Sequence, residues 1–431
     1  MIGYIRADGT AEWEMMAKIR ARDVAVNREV TAAVTDILEN VRTNGDAAVR
    51  AYSERFDGWA PEAFEISRSD WEAIAAKADP ELVASLSRAA EKIRAFHEHE
   101  KQDSFVVTQE SGVIMGQRVR ALARVGLYVP GGTAAYPSSV LMNAVPAKIA
   151  GVKEVVMVTP PAKGGGANPD ILAAALVAGV DRVFLAGGAQ AAAALAYGTE
   201  TFPRVDKIVG PGNIFVATAK KLLYGTVDID MVAGPSEILV MADETANPAW
   251  LAADLMSQAE HDRMASSILL STDEEVLVKT LAEVEKQMQV LSRRDIIAAS
   301  FEGYGAAVLC RSVEEMVTLA NELAPEHLEV AMKNPLEYIG KLDNVGSVFL
   351  GQYAPEPLGD YMAGPNHVLP TGGTARFFSP LGVDSFYKRS SFLYYTEEAL
   401  TGVKDDIIRI ASAEGLTAHA HAIAVRFEEQ E

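Results

Sequence analysis

The stretch RVGLYVPGGTAAYPSSVLMNAVPAKIAGVKEVVMVTP, Arg124 to Pro160, decides the fold of the chain. It opens on a short β-branched run, Arg124 to Pro130, passes two glycines, enters a longer segment from Ser138 to Ala150, and returns to an apolar run at EVVMVTP. Short β-branched runs alternating with longer helical segments are the pattern of parallel strands joined by crossover helices. The alternation continues with a helix at Pro169 to Ala178, a strand at RVFLAG and a helix-rich stretch after Gly187 and Gly188. KIVGPGN, Lys207 to Asn213, repeats strand, glycine turn and helix, and EILVMAD begins a further series through SSILLST, AAVLC and VGSVFL. The expected class is α/β with two sheets, one per domain.

On either side of this region the pattern changes. Before about Leu122 helical periodicity and charge dominate, as in DPELVASLSRAAEKIRAFHEHEKQ, which predicts long helices packed on or beside a sheet. After Leu381 the aromatic and charged segment DSFYKRSSFLYYTEEAL leads into a helical pattern from Val403 to Val425 and reads as a helical appendage. Such an arm has too little apolar surface to fold alone, so it needs its own body or a second subunit to dock on.

Composition narrows the function classes. With 431 residues, 49% hydrophobic and 23% charged, the chain has material for two or three globular units. Thirty-nine Lys and Arg against fifty-nine Asp and Glu leave a net charge of −20, which repels nucleic acid and anionic membrane surfaces. The amino terminus has no apolar core and the apolar run Ile171 to Val180 is far short of a membrane span, so a cytoplasmic protein without nucleic-acid or membrane partners is expected. The single Cys310 ends an apolar run and reads as core packing.

Five of seven histidines, His261, His327, His367, His419 and His421, lie in the last two fifths of the chain. His97 and His99, within FHEHEK, read as a solvated helix face. Gln258 and His261 are three apart, so a helix places them on one side, where they could hold one ion; taken alone the pair reads rather as a surface or capping feature. Asp360 and His367 lie in the glycine- and proline-rich LGDYMAGPNHVLPTGG, an ordered loop suited equally to binding and to structural turns. Glu326 beside His327 could divide acid and base duties if the turn at Pro325 keeps both on one side, and otherwise reads as a surface pair. In AEGLTAHAHA a helix would set His419 and His421 about 200° apart, so one of them at most joins a site with Glu414. No G-x-G-x-x-G follows a strand, but YVPGG (Tyr128 to Gly132), AGGAQ (Ala186 to Gln190) and VGPGN (Val209 to Asn213) each do. Such turns can present N–H groups to a pyrophosphate, and they also serve as plain helix caps.

Together, VGLYVPGGTAAYPSSVLMNAVPAKIAGV, KIVGPGNIFVATAKKLLYG, DMVAGPSEILVMAD, SQAEHD, APEHLE, GDYMAGPNHVLPTGGTARFFSPLGVDSF and AEGLTAHA resemble, in order, the segments of the histidinol dehydrogenase family, whose zinc- and NAD-dependent members complete histidine biosynthesis. The resemblance implies two incomplete Rossmann-like domains, residues 26–122 with 238–378 and residues 123–237 on the NAD side. It adds a helical tail at 1–25 and a helical arm at 379–431 exchanged in an intertwined homodimer. It implies a zinc shell of Gln258, His261 and Asp360 from one subunit and His419 from its neighbour, with Glu326 and His327 as proton-transfer residues. Ser236, His367 and Glu414 join the four zinc ligands and His327 as substrate contacts, and Tyr128, Gln190 and Asn213 are implied for NAD. The implied reaction is four-electron oxidation of L-histidinol to L-histidine. Alternatives are a relative acting on another amino or hydroxy alcohol, a zinc hydrolase using a subset of the same ligands, and a two-domain binding protein without chemistry.

Overall fold

The computed structural model describes residues 2–24, 28–131, 136–162 and 165–428. It divides into two compact units, residues 1–100 with 122–386 and residues 101–121 with 387–431. The first unit holds two parallel sheets. One runs β1 (Gly3–Arg6), β11 (Gly305–Leu309), β10 (Ser266–Ser271), β9 (Glu237–Ala242), β12 (His327–Ala331), β13 (Ser347–Leu350). The other runs β6 (Arg182–Leu185), β5 (Glu154–Thr159), β4 (Arg124–Tyr128), β7 (Lys207–Val209), β8 (Asp228–Ile229). The expected α/β class with parallel sheets is therefore met, and both of these sheets lie in the one unit.

Strands buried on both faces read as unbroken apolar runs, which is why they could be recognised from sequence. Along β9 the side chains alternate between two cores: Ile238, Val240 and Ala242 pack on one face of the sheet, and Leu239 and Met241 on the other. The second sheet packs Val156, Val158, Phe184 and Ile208 against an alanine-rich helix, Gly188–Tyr197, whose small side chains allow close approach. Cys310 is buried as expected, and burial pushes its thiol up to about 12.

Three details depart from the sequence reading. The helix Ala11–Val24 is preceded by a strand, β1, paired with β11. His97 is fully buried, with Nδ1 2.8 Å from a Glu100 carboxylate oxygen and Nε2 3.5 Å from Asn366 Nδ2. It closes the helix Pro80–His97, and the following turn folds Glu100 back onto it, so the charge alternation of FHEHEK misled. In the second unit a strand comes before the helices: β14 (Tyr387–Tyr394) pairs antiparallel with β3 (Ile114–Ala121), which pairs with β2 (Phe105–Thr108). The helical pattern beyond it breaks into Glu397–Ala413 and Thr417–Ala424 around Gly415, whose φ is 73°. Among the described residues no helix is long and apolar enough to cross a membrane.

Candidate active site

In both parallel sheets the strand order reverses direction, once between β4 and β7 and once between β9 and β12. A reversal opens a crevice because the crossover helices leave it on opposite faces. A cavity of about 320 Å³ lies there, lined by Pro130, Pro211, Gly212 and Asn213 beyond the carboxyl ends of β4 and β7, and by Ser236, Glu326 and His327 at the amino ends of β9 and β12.

Glu326 and His327 are brought together by the backbone of one residue, Glu237. The helix Val313–Leu323 ends at Ala324, held at φ 51°, a left-handed cap rare for a residue with a side chain. Pro325 follows, and β12 starts at His327. The backbone N–H of Glu237 donates to Glu326 Oε2 at 3.0 Å, and the Glu237 carbonyl lies 2.9 Å from His327 Nδ1. A carbonyl only accepts, so Nδ1 carries the proton and Nε2 is left bare. The Glu237 carboxylate returns the grip by accepting from the N–H of Glu326 at 3.3 Å. Gly346 completes the packing: its N–H donates to the Pro325 carbonyl at 2.9 Å, and a Cβ there would stand 2.4 Å from the Glu326 carbonyl oxygen. Burial, then the nearby Glu237, pushes the Glu326 carboxyl well above the usual range, and burial lowers His327 to about 4.

Gln258 ends the helix Pro248–Ala259 and is buried; His261 follows in the turn, where its N–H donates to the Gln258 carbonyl. The short helix Glu356–Tyr361 places Glu356 and Asp360 four apart on one face. His327, Glu356 and Asp360 offer ligand atoms all within 4.8 Å of one another. Gln258 hydrogen-bonds Glu356, and His367 Nδ1 lies 3.4 Å from Asp360 Oδ1. Burial, then Asp360, lifts Glu356 to about 8, whereas Asp360 is held below the usual range, its own burial outweighed by His367 and His327. His261 is kept toward its neutral, ligating form by desolvation. His327 Nε2 and Glu356 Oε1 are buried without a hydrogen-bond partner among the described residues, a deficit that a cation would relieve. Imidazole and carboxylate donors fit zinc, and the Gln258 amide is a less common ligand beside them.

The expected residues are thus partly gathered. Ser236, Gln258, His261, Glu326, His327, Asp360 and His367 line the cavity, with Glu356 among them. Sequence reasoning missed Glu356; its only sign was the four-residue spacing to Asp360 in EPLGD. Glu414 caps the helix Glu397–Ala413 and His419 lies in the helix Thr417–Ala424, both exposed and both in the second unit.

Of the residues expected for NAD, Asn213 lines the cavity and caps the helix Ile214–Leu223 through the N–H groups of Phe215 and Val216. Tyr128 and Gln190 are buried behind it: the Tyr128 hydroxyl accepts from the Gly188 N–H at 3.0 Å, and neither amide atom of Gln190 has a partner among the described residues. Burial lifts the Tyr128 hydroxyl to about 12, so it stays protonated. The turn at Gly210, φ 107°, passes so close to Tyr128 that a Cβ would lie 2.2 Å from its carbonyl oxygen. Asp230 accepts from the Gly210 N–H at 2.7 Å, Lys220 Nζ donates to the Gly210 carbonyl at 2.9 Å, and Lys220 and Asp230 pair with each other while buried. Gly132, in the YVPGG turn, lies outside the described residues.

A family model described as histidinol dehydrogenase matches residues 20–427. A histidinol dehydrogenase of Clostridium acetobutylicum is 54% identical over 422 residues, 98% of each chain, and one of Lactococcus lactis is 51% identical over 431 residues, 100% of each. The crystal structure of histidinol dehydrogenase from Elizabethkingia anophelis matches with a TM-score of 0.90 at 37% identity, covering 99% of this chain and 98% of that one. By sequence and by fold alike, the chain belongs to the histidinol dehydrogenase family.

Proposed function

We propose that the protein oxidises L-histidinol through L-histidinal to L-histidine with two NAD, in the cytoplasm, as a homodimer whose sites are shared between subunits. The observation that carries this reading is the single residue Glu237 whose backbone N–H and carbonyl hold both Glu326 and His327, leaving Nε2 bare toward Glu356 and Asp360. Gln258, His261 and Asp360 would hold zinc together with the partner's His419. When bound, zinc supplies the positive charge that orients an amine and an imidazole, and NAD accepts the hydrides.

His327 Nε2 takes the alcohol proton as the first hydride leaves the carbon, giving the aldehyde. Glu326, whose carboxyl is raised by burial so that its ionised form is a stronger base, then removes a proton from the water that adds to the aldehyde. The aldehyde oxygen takes back the proton held on His327 Nε2 as the hydrate forms, which frees Nε2 to take a proton of the hydrate as the second hydride departs. Ser236 and His367 flank the same space, and Glu414 from the partner arm would meet a cationic part of the substrate. The dinucleotide would lie on the side of β4 and β7, over the turn capped by Asn213.

Purified protein incubated with zinc, NAD and L-histidinol should form two NADH per histidinol consumed. A ratio of one would leave only an alcohol dehydrogenase, and no NADH would overturn the reading.

A further inference from the structure

We propose that Arg22 is a positioning residue for the proton-transfer pair: from the helix Ala11–Val24 it neutralises Glu237, and so keeps that residue's backbone holding both Glu326 and His327. This rests on the proposed roles of Glu326 and His327. The ion pair between Arg22 and Glu237 is buried, the side chains 0% and 3% exposed. Arg22 is fixed on its other side by Nη1 donating to the Met264 carbonyl at 2.8 Å, and its guanidinium lies 5.5 Å from the centre of the Tyr304 ring.

Three groups of Glu237 act on the pair. Its N–H holds the Glu326 carboxylate, its carbonyl fixes the His327 tautomer, and its carboxylate accepts the Glu326 N–H. Two buried carboxylates, Glu237 and Glu326, thereby lie close together at the starts of the neighbouring strands β9 and β12, with Glu356 and Asp360 adding negative charge nearby. Carboxylates this close repel unless a cation stands beside one of them. Arg22 is that cation. The first helix would accordingly serve the chemistry although it lies away from the cavity lining.

The test is a set of folded variants assayed separately for histidinol and histidinal oxidation. Arg22→Met leaves Glu237 without its cation and is expected to lower kcat about tenfold or more in both half-reactions, with the KM for NAD unchanged. R22M/E237Q removes both charges while the amide oxygen introduced at position 237 can still accept the Glu326 N–H, and it should recover most of the lost turnover. R22K keeps the charge and should do the same. A folded R22M with full kcat, or a double variant as slow as R22M, overturns the proposal, because an arginine that merely anchored the helix would not be rescued by removing its partner. Should R22M fail to give a cooperative melt, the other two carry the test: turnover near the parent's in both supports the proposal, and a tenfold loss in a normally melting double variant overturns it. His327→Asn separates the two layers. If it retains turnover, the reading of the site falls and the proposal with it; if it loses turnover while R22M does not, the proposal alone falls.

Discussion

The hydrogen bond from His327 Nδ1 to the Glu237 carbonyl fixes which nitrogen of the ring can take a proton, and Glu326 differs from it in accepting rather than donating to the same residue's backbone. Their duties can therefore be separated: Glu326→Gln should slow histidinal oxidation roughly a hundredfold while slowing histidinol oxidation much less, as measured by supplying each substrate in turn. Equal loss in both would remove Glu326 from water activation. Glu356, with one oxygen unpartnered among the described residues and Gln258 beside its carboxylate, would orient that side chain toward the proposed ion. Glu356→Gln should weaken zinc retention about tenfold or more in competition with a chelator. Glu326 and His327 stand side by side in the sequence, but only the left-handed Ala324 and the fold explain why neighbours that would diverge on a strand share one cavity. Glu237 and Arg22, more than two hundred positions apart, left no local signal.

At the level of elements, strands were legible because burial on both faces writes them as apolar runs, whereas the direction of their ends was not. Ligand crevices in open parallel sheets are expected at carboxyl ends. That holds for β4 and β7, but Ser236, Glu326 and His327 sit at the amino ends of β9 and β12, a placement set by the packing of two sheets and not by either alone. The turn after β7 is clamped by Asp230 on the N–H of Gly210 and by Lys220 on its carbonyl. Lys220→Met should raise the KM for NAD several-fold with kcat nearly unchanged; an unaltered KM would show that the clamp does not shape the dinucleotide side. One turn before Gln258, Asp254 hydrogen-bonds Glu329, and burial lifts Asp254 to about 6. Its folded state thus holds a proton that the unfolded chain has released, so this group's contribution to stability is lost as pH rises from about 4 to about 6. Asp254→Asn should flatten the fall of Tm with pH across that window, and an unchanged slope would contradict the assignment.

Across the whole molecule, the resemblance drew Glu414 and His419 into the site from an arm that composition alone marks only as needing a docking partner. Both residues are exposed in a unit built of β2, β3, β14 and two helices. If the partner lends them, subunits carrying Gln258→Ala and subunits carrying His419→Ala, each inactive alone, should regain about a quarter of full activity when unfolded, mixed and refolded together, since half the dimers are hybrids and each hybrid has one intact site. No recovery in mixed dimers confirmed by mass would place both residues in one subunit's site. The cavity between oppositely oriented strand ends has a further consequence. One wall belongs to the half that would carry the dinucleotide and the other to the half that would grip the amino alcohol, so a spent coenzyme could be exchanged for a fresh one while the reactive aldehyde stayed tethered, and a two-stage oxidation would run without releasing its midpoint.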